Sequence, residues 1–448
     1  MSRVLSADWV LPVEGDPIEH GAVAIEDGRI AAVGTVDELG AGTRYDDAVI
    51  IPGFVNSHTH LEYAVYGGFG DGLRDFSEWI SLHVQRKARI GWEEYIDIAR
   101  LGAAECLASG VTTIGDCSYS GAAAVACADL GLRATVYLEV FGRDVARALE
   151  HFARIRDRAE HAFSDRVCAG VSPHAPYSVS LELYVACAEL GLPVSTHISE
   201  SPSEVAYVLR GEGPWSGYRH LLVEPPGVTG TRLLATQGLL GPNVVAAHCV
   251  ALDDEEIGLL ASTATGIAHC PRSNAALGCG VAPIAELRAA GARVGVGTDS
   301  PASAPSFDFF EELRSVVLTA RARAQRPDVL STAEALELAT LGSARALGLD
   351  AEVGSLVAGK RADLTIISLA GSSYLPWEDP AGAVVFGGAP ERVVATFVDG
   401  QARYEKGGFE WHELTAAAQR ARRAMLAPPG AGAAPAPAAA AAAVPRAR

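Results

Sequence analysis

Val49-Ile50-Ile51-Pro52-Gly53-Phe54-Val55-Asn56-Ser57-His58-Thr59-His60 is an apolar run that closes on two histidines two positions apart. Side chains of an extended strand alternate faces, so the imidazoles of His58 and His60 point the same way. Two converging imidazoles make half of a zinc-type site. Later apolar runs end in a comparable manner. Pro193-Val194-Ser195-Thr196-His197 closes on a histidine with Glu200 three residues on, Asn243 to His248 on another, and Val294-Gly295-Val296-Gly297-Thr298-Asp299 on a carboxylate.

The spacing of these runs predicts the architecture. Strands are expected at 110–116, 133–140, 167–172, 193–197, 243–248, 265–269 and 292–298, with amphipathic helical stretches between most of them, such as Ile96 to Ser109, Leu181 to Leu190 and Ile284 to Ala290. Alternating strands and helices indicate a parallel sheet. With the strand before His58 the count is eight, which predicts an α/β fold: a (β/α)8 TIM-type barrel over 53–350, with its site at the C-terminal strand ends. No Gly-x-Gly-x-x-Gly opens an early helix, as a doubly wound dinucleotide fold would require.

Residues 1–52 read instead as short strands separated by Glu14-Gly15-Asp16 and Glu26-Asp27-Gly28, and a second such set includes 363–367 and 393–398. A small composite β-sandwich built from both chain ends, 1–52 and 351–410, is therefore expected. The Ala/Pro-rich stretch 427–448 has too little large apolar surface to fold alone and reads as a disordered tail.

The strand-end residues divide into chemical roles. Three imidazoles and one carboxylate (His58, His60, His197, Asp299) form an N3O set suited to one divalent ion, Zn2+ or Fe2+, leaving room for a water. Asp299 would take a proton from that water, Glu200 would carry one to a leaving group, and His248 would polarise water or electrophile. Glu200 also sits in Ser199-Glu200-Ser201-Pro202-Ser203-Glu204, a stretch equally able to cap a helix. A scaffold with an incidental metal site is the non-enzymatic alternative.

Composition narrows the partners. A net charge of −18 argues against binding a nucleic-acid backbone. No apolar stretch is long enough to span a bilayer, and the N-terminus has no long apolar core of the secretory kind, so no membrane partner is expected. Eight cysteines without a Cys-x-x-Cys pair suit reduced thiols in the cytoplasm. A homodimer is left open.

Together, Pro52 to His60, Thr196-His197-Ile198-Ser199-Glu200, Ala247-His248-Cys249 and Gly297-Thr298-Asp299 resemble the amidohydrolase superfamily, in its cytosine deaminase, chlorohydrolase and adenosyl-nucleoside deaminase branch. The resemblance covers about residues 1 to 405 and includes Gly354 to Leu364, where such chains return to the β-sandwich. It implies one catalytic metal on His58, His60, His197 and Asp299, with Glu200 and His248 in proton transfer and polarisation. The lysines, Lys87, Lys360 and Lys406, do not end a middle strand, so the bridging carboxylated lysine of binuclear members is missing.

For substrate, the resemblance implies an adenine nucleoside losing its 6-amino group to water. His174 would contact sugar or base, and Trp79 would form an aromatic wall over the purine or simply pack its helix. The ribose-binding glutamate of the adenosylhomocysteine and methylthioadenosine deaminases falls at Ala88, and a substrate-binding arginine falls near Leu138. His58-Thr59-His60-Leu61-Glu62 with Phe76 to Trp79 is similar to aminodeoxyfutalosine deaminases of menaquinone biosynthesis. Their substrate carries a benzoate, for which Arg143 or the cluster Arg86, Lys87 and Arg89 offers a cation, and Glu62 would hydrogen-bond purine or ribose. The cluster reads equally as a solvated helix face. The alternatives are an adenosylhomocysteine/methylthioadenosine deaminase, or a guanine, pterin or triazine aminohydrolase or chlorohydrolase.

Overall fold

The structure is a computed structural model that describes residues 3–70, 72–371 and 379–426; the tail assigned to 427–448 lies outside the described residues. Five strands come first: β1 (Arg3–Val10), β2 (Ile18–Glu19), β3 (Gly21–Glu26), β4 (Arg29–Thr35) and β5 (Thr43–Pro52). Eight follow with helices between them: β6 (Phe54–Thr59), β7 (Val111–Ser118), β8 (Arg133–Val140), β9 (Val167–Pro173), β10 (Val194–Ile198), β11 (Val244–His248), β12 (Gly266–His269) and β13 (Arg293–Val296). The last are β14 (Leu364–Ser368), β15 (Val393–Val398) and β16 (Gln401–Glu405).

Strands β6 to β13 pair in sequence order, every pair parallel. The first and last meet as well. Thr59 bridges Asp299 in parallel, the Asp299 N–H donates to the His58 carbonyl at 3.0 Å, and Thr59 Oγ1 donates to the Asp299 carbonyl at 3.0 Å. This is the TIM-type barrel expected from the alternation, and its closing seam runs through the residues of the opening motif.

The remaining eight strands form one mixed sheet, ordered β16-β15-β14-β5-β1-β3-β4 with β2 on β1. The expected sandwich is thus one continuous hydrogen-bonded sheet. Alternation along its strands explains why Val49 to Ile51 is apolar on both faces. Ile50 joins Leu5, Val23, Ile366 and Phe397 in a core of the sheet's own, while Val49 and Ile51 pack into the barrel's core. The run Val49 to Val55 is therefore not one strand. It divides at Gly53, where a Cβ would lie 2.1 Å from Thr112 Cγ2, so only glycine lets the chain cross from sheet to barrel.

Two features escaped the sequence reading. The helix Trp411–Leu426 buries Ala418, Ala421 and Met425, and Arg422 reaches the carbonyls of Val65 and Gly67 beside the site. At the opposite end of the barrel, Arg133 of β8 donates to both carboxylate oxygens of Asp363 (2.9 and 3.2 Å) and to Asp399 (2.6 Å), tying barrel to sheet. No helix among the described residues is long and apolar enough to cross a membrane.

Candidate metal and catalytic site

Each residue of the N3O set arrives from a strand end. His58 is on β6 and His60 directly follows it, His197 is on β10, and Asp299 stands three residues past β13. One nitrogen from each of His58, His60 and His197 lies within 4.8 Å of the other two, and His58, His248 and Asp299 satisfy the same limit. Asp299 Oδ1 is 3.6 Å from His60 Nε2 and 3.9 Å from His58 Nε2.

Backbone carbonyls orient the rings. His60 Nδ1 donates to the Cys117 carbonyl at 2.8 Å and His197 Nδ1 to the His174 carbonyl at 2.7 Å, which leaves Nε2 of both for the centre. His58 Nε2 is fully buried with no hydrogen-bond partner. Burial, reinforced for His58 and His60 by the neighbouring imidazoles, holds the rings neutral: His60 is lowered to about 3, His58 lies well below its usual value, and His197 is lowered. Burial raises the Asp299 carboxyl, but His60, His248 and the hydroxyls of Ser273 and Ser303 outweigh it and hold the group below the ordinary range. Neutral imidazoles around a carboxylate, with one ring nitrogen orphaned, fit a divalent cation.

Glu200 and His248 face the same space, with Glu200 Oε2 3.7 Å from His248 Nε2. Burial, then the charges of Asp299 and Glu204, pushes the Glu200 carboxyl well above its usual value. Glu204 is what caps this loop, accepting from the backbone N–H groups of Ser199 (3.1 Å) and Glu200 (2.7 Å). The helix Pro202–Arg210 is itself capped by Ser201, whose Oγ accepts from the Glu204 N–H at 3.1 Å, so the Glu200 carboxyl is left to the site. Burial lowers His248 to about 4. His248 and Asp299 both have left-handed backbone, φ +72 and +57, a strained conformation for such residues that aims their side chains inward.

The substrate-contact candidates are placed differently from one another. The His174 ring centroid is 4.8 Å from that of His197, beside the cluster. Trp79 is buried, its indole N–H donating to the Ala302 carbonyl at 2.9 Å and its ring stacked on His83. The carboxylate of Glu62 is occupied by protein donors: the hydroxyls of Ser118 and Ser120 and the N–H groups of Ser120, Ala122 and Ala123. It anchors the start of the helix Ala122–Leu130 through the N–H groups of Ala122 and Ala123. Arg143 is exposed and donates to the Leu222 carbonyl at 3.3 Å.

The cationic cluster divides. Arg86 stacks over Phe69, whereas Lys87 is buried with its ammonium 4.1 Å from the Tyr119 ring centre and 4.6 Å from that of Phe141. Phe141 in turn lies 4.9 Å from His174. Glu139 at the end of β8 is also buried, its Oε2 without a partner and its carboxyl pushed up to about 7 by burial. The sequence reading passed over Glu139 and the pair Ser273 and Asn274. All stand at or just past strand ends, the signal that found the histidines. A separate cavity of about 580 Å3 lies at the other end of β13; its Arg288 and Arg345 pair with Glu334 and Glu337, and it holds no part of the cluster.

Residues 49–403 match the model of the amidohydrolase family. The chain belongs to that family. This amidohydrolase is 35% identical over 443 residues to a 5-methylthioadenosine/S-adenosylhomocysteine deaminase of Symbiobacterium thermophilum, covering 94% of this chain and 98% of that one. It is 33% identical over 406 residues to a 5'-deoxyadenosine deaminase of Methanothermobacter thermautotrophicus, covering 88% and 91%. Among solved structures, an adenosine deaminase of Xanthomonas campestris with bound zinc superposes with a TM-score of 0.83 at 28% identity, over 94% of this chain and 98% of the other.

Proposed function

We propose that this amidohydrolase is a hydrolytic deaminase of adenine nucleosides, with one Zn2+ held by His58, His60, His197 and Asp299. The observation that carries the proposal is the convergence of three neutral imidazoles and Asp299 on a space that Glu200, its carboxyl raised by burial, and His248 also face. When bound, a divalent ion supplies Lewis acidity that makes water a competent nucleophile near neutral pH. The zinc in the Xanthomonas relative supports that choice of metal.

The chain's own groups move the protons. Asp299 accepts one from the attacking water. Glu200 delivers its own proton to purine N1, then takes the remaining proton of the added C6 hydroxyl and passes it to the departing amine; ammonia leaves, the 6-oxo purine remains, and the proton held by Asp299 returns to Glu200. Burial prepares Glu200 for this by raising its affinity for a proton above that of an exposed glutamate. His174, next to His197, is placed to touch the sugar or base.

Within this class we take aminodeoxyfutalosine, on the futalosine route to menaquinone, as the preferred substrate. The motif His58 to Glu62, the segment Phe76 to Trp79 and the inward-turned Lys87, a cation suited to a carboxylate-bearing 5' group, support it. The names of the relatives favour methylthioadenosine or adenosylhomocysteine as the second reading. Seven buried, unpaired thiols suit a reducing cytoplasm. The test is ammonia release, with the blue shift of purine absorbance, from zinc-loaded enzyme on aminodeoxyfutalosine, methylthioadenosine, adenosylhomocysteine, 5'-deoxyadenosine and adenosine. The highest kcat/KM names the substrate, and no turnover on any of the five refutes the class.

A further inference from the structure

β12 supplies none of the ligands, yet the segment after it touches two groups of the site. It lies between β11 and β13 in the sheet, so the helix Pro271–Ala276 that follows it reaches the ends of both neighbours. Ser273 Oγ donates to Asp299 Oδ2 at 2.7 Å, and the adjacent Asn274 places its Oδ1 2.9 Å from His248 Nδ1. Both side chains are fully buried. An amide oxygen only accepts hydrogen bonds, so the proton between Asn274 and His248 belongs to Nδ1. A neutral imidazole has one N–H, and Nε2 is then left with a lone pair directed into the site. The amide's other end, Nδ2, is buried without a partner. Turned about, the amide would set that donor against His248 and impose the opposite tautomer.

We infer that Asn274 is a positioning residue that fixes His248 as its Nδ1–H tautomer, so that Nε2 accepts a hydrogen bond from the attacking water, while Ser273 on the same turn holds Asp299 with Oδ1 toward the histidines. The inference rests on the deaminase reading for its consequence in catalysis, but the tautomer itself is a property of the resting protein. Asn274 acts through His248, to which its Oδ1 is hydrogen-bonded. A partner that fixes the tautomer of a histidine is commonly worth 10- to 100-fold in activity or metal affinity, here expected as roughly that loss in kcat.

The experiment uses full-length, zinc-loaded protein labelled with 15N-histidine, with the His248 signal assigned by its disappearance in His248→Gln. Wild type is expected to show His248 protonated on Nδ1. Asn274→Asp keeps an acceptor, so it retains that tautomer and most of kcat. Asn274→Leu loses the tautomer preference and, at unchanged zinc content, lowers kcat about 10- to 100-fold with KM within about threefold. A wild-type His248 protonated on Nε2 overturns the inference, as does Asn274→Leu with wild-type kcat. Should Asn274→Leu fail to fold, the wild-type spectrum alone decides. Absence of turnover on every adenine nucleoside would refute the deaminase reading and leave the tautomer result standing.

Discussion

Gly297→Ala should separate the metal ligands without removing any of them. Gly297 lies just past β13, against the strand that carries His58, and a Cβ there would stand 2.9 Å from the Cβ, N and O of His58. Ordinary Cβ contacts begin near 3.4 Å, so one methyl group demands that β6 and β13 part by about 0.5 Å. Two of the three crowded atoms are backbone, and both backbones are pinned by the hydrogen bond from Asp299 N–H to the His58 carbonyl. Overpacking of this kind costs about 1–3 kcal/mol of stability. The same shift moves Asp299 relative to His58 by more than the ~0.2 Å tolerance of metal–ligand distances. Zinc affinity, measured by competition with a chromophoric chelator, should fall at least about tenfold, with a modest loss in Tm. A variant with wild-type zinc affinity would show that the seam does not set the ligand geometry.

Three further outcomes follow from other parts of the molecule. Glu200→Gln should bind zinc normally and lose roughly 100- to 10,000-fold in kcat; wild-type kcat/KM should fall on the alkaline side as Glu200 deprotonates, and that limb should vanish in the variant, as pH–rate profiles on a turned-over nucleoside would show. Glu105, raised by burial to about 7, favours the folded state while protonated and loses that contribution as pH rises from about 4.5 through 7. Glu105→Gln should therefore leave urea stability unchanged at pH 4.5 and raise it at pH 8 by up to about 3 kcal/mol. Arg133→Met strands Asp363 as a buried, unpaired carboxylate and should cost about 3–5 kcal/mol in the same assay.

The barrel and its metal cluster were readable because their signals are local. A buried strand is an apolar run, and a site residue at its end is a polar residue where the run stops, as at His197, His248 and Asp299. What depends on distant neighbours was harder to see. Glu62 looks like a free carboxylate in sequence, and only the approach of Ser118, Ser120 and the helix after them reveals that its oxygens are occupied. Lys87 sits in a charged stretch that reads as solvated, and its burial arises from Tyr119 and Phe141, 32 and 54 positions away. The helix Trp411–Leu426 is Ala- and Arg-rich, and the residues it buries most fully include the small Ala418 and Ala421, which read as surface in sequence. The apolar run Val49 to Val55 is shared by sheet and barrel, and the boundary expected after residue 52 falls where β5 ends and β6 begins.

The pairing of β5 with β14 has a consequence for biosynthesis. β5 ends at Pro52 and its partner begins at Leu364, about 310 residues later. At roughly 5–20 residues per second a ribosome needs on the order of 15–60 s to cover that interval. Throughout it, the nascent β1 to β5 exposes a bare strand edge and the apolar flank of Ile50. Such a segment invites chaperone binding or pairing between neighbouring nascent chains, so the yield of native enzyme should depend on translation speed and temperature more steeply than its folded stability does.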